Sequence, residues 1–148
     1  MENTDIIRVA INNSDIPASW LYCFNSGCQL RDTCIRYQTG LALDASRTCG
    51  RAVFPTAADG GKCRHFKKLR KIQSAWGFAR LFDNVRVGDA TALRTRLRTM
   101  LGGNGTYYRY HHGTRRLTPE QQTQIRQLFA RFGYADIEFE HYREEIDI

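Results

Sequence analysis

Five cysteines are the side chains best suited to chemistry in this 148-residue chain. Cys23, Cys28 and Cys34 form a C-x4-C-x5-C cluster, which is denser than chance spacing. Cys49 and Cys63 follow, and either one could complete a tetrahedral site of four thiolates. We favour Cys63 as the fourth ligand, with Cys49 as the alternative, because Cys63 lies where a loop meets the first long predicted helix. A metal bound there would order a segment that has little apolar surface of its own.

Zinc is the metal that we expect at this site, and a [4Fe–4S] cluster is the alternative. Both take four thiolates, and a cluster tolerates uneven ligand spacing. The chain has no Cys-x-x-Cys pair, which argues against a common zinc ribbon. A third reading is that the cysteines are buried core residues without a metal. The N-terminus, MENTDIIRVAINN, lacks the regions of a secretion signal, so we expect a cytoplasmic protein, in which thiols stay reduced.

A second candidate for function is the basic, aromatic stretch TYYRYHHGTRRLTPEQQTQIRQLF at residues 106–129. It predicts two helices around a turn centred on Gly113. Thr118 can cap the second helix, Pro119 suits its first position, and Gln121 can complete a capping box. The apolar stripe of this helix, and the glycine expected to end it, are Ile125, Leu128, Phe129, Phe132 and Gly133.

Another helix is predicted just before this stretch. Asp89 can cap it, and its apolar side is formed by Leu93, Leu97, Met100 and Leu101. The glycine-rich turn Gly102–Gly105 then leads directly into Thr106. A helix, a tight turn and a short second helix are the arrangement that presents a reading helix to a DNA groove.

The segment Ala92–Phe132 resembles the helix-turn-helix of the phage-repressor (Cro/C1-like) superfamily. The resemblance implies a supporting helix that contains Leu93, Leu97 and Leu101. It also implies a reading helix with Tyr107 and Tyr110 on its inward face, which ends at Gly113. The whole chain, with CFNSGCQLRDTCIRY and WGFARLFDNV, also looks like an uncharacterised family of small gut-bacterial proteins. That second resemblance implies no activity.

Contacts with DNA follow from the outward face of the short helix. If Tyr107 and Tyr110 are buried, the outward residues are Thr106, Tyr108, Arg109 and His112. Arg109 could pair with guanine in the major groove, and Tyr108 could meet a thymine methyl group or a phosphate. The side chains that we expect to contact phosphates are Arg94, Arg96, Arg98, Arg115 and Arg116.

The charge distribution supports a nucleic-acid partner. The chain has a net charge of +7, but residues 60–120 hold fourteen Lys or Arg against three acids, a local balance of +11. The last fifteen residues carry six acids and one arginine, a balance of −5. A concentrated cationic region is what phosphate neutralisation requires, although a solvated basic surface without a partner is the simpler alternative.

These observations predict a mainly α protein, with a helix-turn-helix-like helical domain and a small Cys-rich, loop-rich N-terminal lobe. The expected regions are a metal-binding lobe at 1–65, the helical domain at 66–133 and an acidic C-terminal tail at 134–148. In the helical domain, Phe66, Leu69, Ile72, Trp76 and Ala79 follow one helical face. The tail has apolar residues to bury, so we expect it to pack as a last element instead of competing with DNA.

The predicted function is sequence-specific binding of double-stranded DNA, as a regulator of transcription with a metal-stabilised lobe. The alternatives are a metal-stabilised protein–protein adaptor and an RNA-binding module in which the tyrosines stack on bases. No catalytic triad, phosphate loop or metalloprotease motif is present, so we expect neither an enzyme nor a small-molecule substrate. No apolar run approaches the roughly 20 residues of a membrane span. A homodimer would suit a DNA reader of this kind.

Overall fold

The computed structural model describes residues 11 and 15–148. This part of the chain is mixed α/β, with 40% helix and about 17% strand in three small sheets, so the prediction of a mainly α fold is wrong. The helices are α1 (Ile35–Leu41), α2 (Val87–Met100), α3 (Asn104–His112) and α4 (Pro119–Arg131). The strands are β1 (Tyr22–Cys23), β2 (Ala52–Val53), β3 (Ala58–Asp59), β4 (Lys62–Cys63), β5 (Lys71–Trp76) and β6 (His141–Ile146).

The main error in the predicted fold concerns the region before α2. A helix was expected from Phe66 onwards, but β5 occupies Lys71–Trp76 and a short 3-10 helix occupies Ala79–Phe82. In β5, exposed Lys71 and Gln73 alternate with buried Ile72 and Ser74, which is the two-residue period of a strand. This strand is stabilised by pairing with β6, which lies more than sixty residues later in the chain. The local sequence around β5 does not predict that pairing.

The chain divides into two compact units. The first unit contains residues 1–71 and 145–148, and the second contains residues 72–144. The sequence predicted boundaries after residues 65 and 133. In the structure the first boundary lies after Lys71, and residues 134–144 of the acidic tail belong to the second unit, together with the predicted helices. The sequence also predicts a short strand from Ile6, Ile7, Val9 and Ile11, and of these four residues the structure describes only Ile11.

The first unit has a small apolar core around α1 and β1. Its buried apolar residues are Ile11, Trp20, Tyr22, Ile35 and Ile146. β1 pairs in parallel with β2, and β3 pairs with β4 as an antiparallel hairpin. α1 and β1 approach so closely that a Cβ on Gly40 would stand 2.4 Å from the carbonyl oxygen of Cys23. Glycine at this position therefore permits the packing of helix on strand.

The second unit has a larger core, built from α2, α3, α4 and the segments around them. Its fully buried side chains include Phe78, Leu93, Leu97, Leu117, Ile125, Phe129 and Phe139. Leu93 and Leu97 occupy the predicted inner side of α2, and Ile125, Leu128 and Phe129 the predicted stripe of α4. The helical periodicity therefore predicted the stripe of α4 and most of the inner side of α2, but Met100, which was assigned to that side, is 42% exposed.

The predicted start and end of α4 are confirmed. The Thr118 hydroxyl accepts a hydrogen bond from the backbone N–H of Gln121 (3.3 Å), and the Gln121 side chain accepts one from the N–H of Thr118 (3.0 Å). Gly133 adopts a positive φ of 90° directly after the helix. The predicted cap of α2 is wrong: Val87 begins that helix, and Asp89 lies in its first turn, where its carboxylate accepts a 2.5 Å hydrogen bond from the Tyr134 hydroxyl.

The C-terminal segment packs as a structural element, as expected. Ile137 and Phe139 are buried in the core of the second unit, and β6 follows them. The Glu140 carboxylate accepts a hydrogen bond from the backbone N–H of Ala79 at 2.8 Å. Within the described part of the chain, no helix has the length and apolar character needed to cross a membrane.

Candidate functional site

Helix α3 has the inner and outer faces that the sequence predicted for a reading helix. Tyr107 and Tyr110 are 6% and 4% exposed and form part of the core of the second unit. Arg109 and His112 are exposed, and Tyr108 exposes 47% of its surface. Thr106 is half-buried at the start of the helix. Three of the four residues assigned to the outer face are therefore accessible.

A tight turn connects α2 to α3. The N–H of Gly103 donates to the carbonyl of Arg98 (2.7 Å), and the N–H of Gly102 donates to that of Thr99 (3.2 Å). Gly102 and Gly103 have positive φ values of 94° and 113°, so the end of α2 is a Schellman motif that only glycine adopts without strain. α3 begins at Asn104, directly after this turn. The turn is shorter than predicted, because Gly105 lies inside the helix.

Most arginines proposed to contact phosphates lie over aromatic rings of their own unit. The distances from guanidinium carbon to ring centroid are 4.6 Å for Arg94 on Phe82, 5.2 Å for Arg96 on Phe132, 5.3 Å for Arg98 on Tyr107 and 5.5 Å for Arg115 on Tyr110. Arg116 is half-buried. Stacking of this kind restricts the side chain while the edge of the guanidinium keeps its hydrogen-bond donors.

The three arginines of α2 do not share one surface. Arg98 stacks on Tyr107 of α3, whereas Arg96 stacks on Phe132 at the end of α4. Arg94 is one helical turn from Arg98 and lies on the same side of α2 as Arg98. Arg94 and Arg98 therefore accompany α3, and Arg96 belongs to another face. The Nε of Arg98 is buried without a hydrogen-bond partner, although the residue as a whole is half-buried.

Two features of the inner side of α3 were not predicted from sequence. Nδ1 of His111 accepts a hydrogen bond from the backbone N–H of Phe78 at 3.1 Å, which ties α3 to the segment after β5. Burial raises the pKa of the Tyr107 hydroxyl above its ordinary value, while Arg98 and Arg94 act in the opposite direction. The hydrogen bond of His111 thus helps to hold the helix in place, and it has no local sequence signal.

The structure brings together four of the five cysteines. Cys23, Cys28, Cys34 and Cys63 line one small cavity of the first unit, with a volume of about 20 Å³, and His65 lines it as well. Cys49 is exposed and is not among the lining residues. The set around the cavity is therefore the one favoured from sequence, with Cys63 as the fourth member.

Short elements place these cysteines. Cys23 ends β1, Cys34 precedes α1 at its N-cap position, and Cys63 ends β4. Cys28 lies in a turn where its sulfur accepts a hydrogen bond from the backbone N–H of Leu30 at 3.4 Å. All five cysteines are free thiols. Across residues 11 and 15–148, however, no three His, Cys, Asp or Glu side chains are arranged so that they could hold a metal ion as they stand.

Fold and site together define a small mixed α/β protein, with a thiol-lined cavity in one unit and a basic, aromatic helix face in the other. The chain belongs to a family of unknown function, DUF6078, which it matches over residues 1–148. The match to this family spans the whole chain. It does not support the resemblance of Ala92–Phe132 to phage repressors. Comparison with curated proteins and with solved structures gave no match.

Proposed function

We propose that this protein binds double-stranded DNA through the outer face of α3. The observation that carries the proposal is that Tyr108, Arg109 and His112 are exposed on a helix whose opposite face is fixed in the core. Arginine is the commonest residue for direct contacts with guanine in the major groove. A regulatory role in transcription and a cytoplasmic location belong to the same proposal.

The rigidity of α3 supports sequence reading. A base contact needs a side chain held in register with the groove, and α3 is fixed by the Schellman turn before it and by the buried rings of Tyr107 and Tyr110. Gly113 ends the helix with a positive φ of 81°. Arg109 therefore projects from a short element that is anchored at both ends.

The stacked arginines supply phosphate donors of low conformational freedom. Arg98 and Arg94 lie on the α3 side of α2, and Arg115 follows α3 and stacks on Tyr110. A side chain that is already ordered loses less entropy when it contacts a phosphate. We assign the phosphate contacts to Arg94, Arg98, Arg115 and Arg116. We exclude Arg96 from this surface because its ring partner, Phe132, lies at the end of α4 and not on α3.

The exposure of the tyrosines favours duplex DNA over single-stranded RNA. An RNA platform needs several free aromatic rings on which bases can stack. Of the three tyrosines of α3, only Tyr108 exposes its ring, and it stacks beside His112 with the ring centroids 6.1 Å apart. One exposed pair offers little stacking surface, whereas Tyr108 is suited to a contact with a thymine methyl group or a phosphate.

Selection from a library of random duplexes tests this function with the full chain. The proposal predicts enrichment of a short motif containing guanine, and loss of that enrichment for Arg109→Ala. Arg131→Ala is a matched control, because Arg131 is an exposed arginine on α4 outside the proposed surface. Preference for single-stranded RNA would replace the proposal by RNA binding, and indifference to both nucleic acids would leave the protein–protein adaptor.

A further inference from the structure

We propose that the first unit holds one zinc ion through the thiolates of Cys23, Cys28, Cys34 and Cys63. This site is independent of the proposed DNA contacts, which lie in the second unit. Four thiols that come from a strand end, a turn, a helix start and a hairpin line the same cavity. Four cysteine ligands with no open position form a structural zinc site, which stabilises the fold and performs no catalysis.

The size of the cavity favours a single ion over an iron–sulfur cluster. Its volume of about 20 Å³ is little more than the roughly 10–15 Å³ that one buried water molecule requires. A zinc ion bound at about 2.3 Å from each sulfur fits such a space once the thiols turn towards it. A four-iron cluster carries four iron and four sulfide ions and would need a much larger opening.

The surroundings of the thiols suit a negatively charged zinc–thiolate centre. The N–H of Leu30 already donates to the sulfur of Cys28, and hydrogen bonds of this kind orient the sulfur ligands of metal sites. Arg31 and Arg36 also line the cavity and can offset the charge of about −2 that zinc with four thiolates carries. Arg36 is held by hydrogen bonds to the carbonyls of His65 (2.7 Å) and Leu21 (3.2 Å).

The cavity adjoins an open groove of the same unit. Cys63, His65 and Val53 line both this cavity and an adjoining open groove of about 790 Å³ in the same unit. Cys63 is therefore the one of the four thiols that also borders the open groove. Among the described residues no three His, Cys, Asp or Glu side chains could hold a metal ion in this conformation, so zinc binding requires the cysteines to rearrange.

Metal analysis and thiol alkylation of the full, reduced wild-type chain test the site without any variant. We expect one zinc per chain after loading, and visible bands of tetrahedral thiolate coordination when cobalt replaces zinc. Alkylation followed by mass spectrometry should modify Cys49 alone in the zinc form, and all five cysteines after removal of the metal with a chelator. The proposal would be overturned if the same cysteines were alkylated with and without zinc, if the chain did not bind zinc, or if the purified protein were brown and contained iron.

Substitutions then identify the ligands. Cys28→Ser and Cys63→Ser should each reduce zinc affinity by tenfold or more, whereas Cys49→Ser and His65→Ala should leave it unchanged. A loss in Cys49→Ser with retention in Cys63→Ser would contradict the assigned set. Because cobalt spectra and alkylation report on coordination directly, an unfolded variant does not obscure the result obtained with the wild-type chain.

Discussion

Gly113 occupies a position at which backbone and packing both exclude a side chain. Its φ is 81°, in the region that favours glycine, and a Cβ there would stand 2.7 Å from Cδ1 and Nε1 of Trp76. The residue therefore ends α3 and lets its C-terminus approach β5. Gly105, in the same helix, has an ordinary φ and open space around it.

This contrast gives a matched pair of substitutions. Gly113→Ala should lower the free energy of unfolding by roughly 2–4 kcal/mol, since it adds left-handed strain to a steric clash. Gly105→Ala should raise it by about 0.5–1 kcal/mol, because alanine is the better residue inside a helix. Chemical denaturation measures both. Equal effects of the two substitutions would contradict the described end of α3.

Tyr107 should make stability depend on pH in the alkaline range. Burial raises the pKa of its hydroxyl in the folded protein above the ordinary value of 10.0, so the folded state favours the protonated form. The resulting stability is fully present below the unfolded pKa and is lost as pH rises towards the folded one. We expect Tyr107→Phe to flatten the decline of the melting temperature above about pH 10. Tyr108→Phe, with its exposed ring, is the control, and the same flattening there would refute the explanation.

At the scale of elements, the sequence predicted the features that depend on residues close to one another in the chain. The capping residues of α4 and the apolar stripes of α2 and α4 act within one or two helical turns, and they are found with the exception of exposed Met100. The thiol cluster was also predictable, because three of its members lie within twelve residues. Its fourth member, Cys63, was favoured over Cys49 only by its position in the chain, and the hairpin of β3 and β4 explains how it reaches the others.

Elements that depend on distant partners were missed. In the region of β5, Leu69, Ile72 and Trp76 also fit a helical spacing, so the local pattern permitted two readings. The strand is selected by its pairing with β6 and by a buried serine, Ser74, whose hydroxyl donates to the carbonyl of Arg143 at 3.1 Å. The fold therefore became mixed α/β through contacts that periodicity does not encode.

The capping box of α4 can be measured directly. Thr118→Ala removes the acceptor of the Gln121 N–H and should lower the free energy of unfolding by about 1 kcal/mol. Thr123→Ala is the control in the same helix, because its exposed hydroxyl donates only to the carbonyl of Pro119, and it should have a much smaller effect. Similar losses in both variants, measured by thermal or urea unfolding, would argue against a capping role for Thr118.

At the scale of the molecule, each unit has its own apolar core and its own tryptophan. Trp20 is buried in the first unit, where its indole N–H donates to the Thr39 hydroxyl at 2.9 Å, and Trp76 belongs to the second. The chain has no other tryptophan. Single-tryptophan variants can therefore report on each unit separately.

Removal of zinc should affect the two reporters differently. In Trp76→Phe, a chelator should shift the unfolding transition reported by Trp20 to lower temperature, because bound zinc stabilises the folded first unit. In Trp20→Phe, the transition reported by Trp76 should change little. An equal shift of both signals, or no shift in either, would contradict a stabilising metal confined to the first unit.

The charge of the molecule bears on its proposed partner. The cationic balance of +11 over residues 60–120 provides non-specific attraction to phosphates, and this attraction should weaken steeply with salt. The acidic residues near the C-terminus are partly engaged within their own units, as in the 2.8 Å ion pair of Asp147 with Arg70. In the proposed function, charge brings DNA to the protein, and the outer face of α3 distinguishes sequences.

The most direct test of that claim is to measure the affinity of the wild-type chain, Arg109→Ala and Arg115→Ala for a selected duplex and a scrambled one. We expect Arg109→Ala to weaken binding to the selected duplex by about 1–3 kcal/mol and to leave the scrambled duplex nearly unaffected. Arg115→Ala should weaken both duplexes alike and reduce the salt dependence. Equal losses on both duplexes after Arg109→Ala would show that α3 does not read DNA sequence.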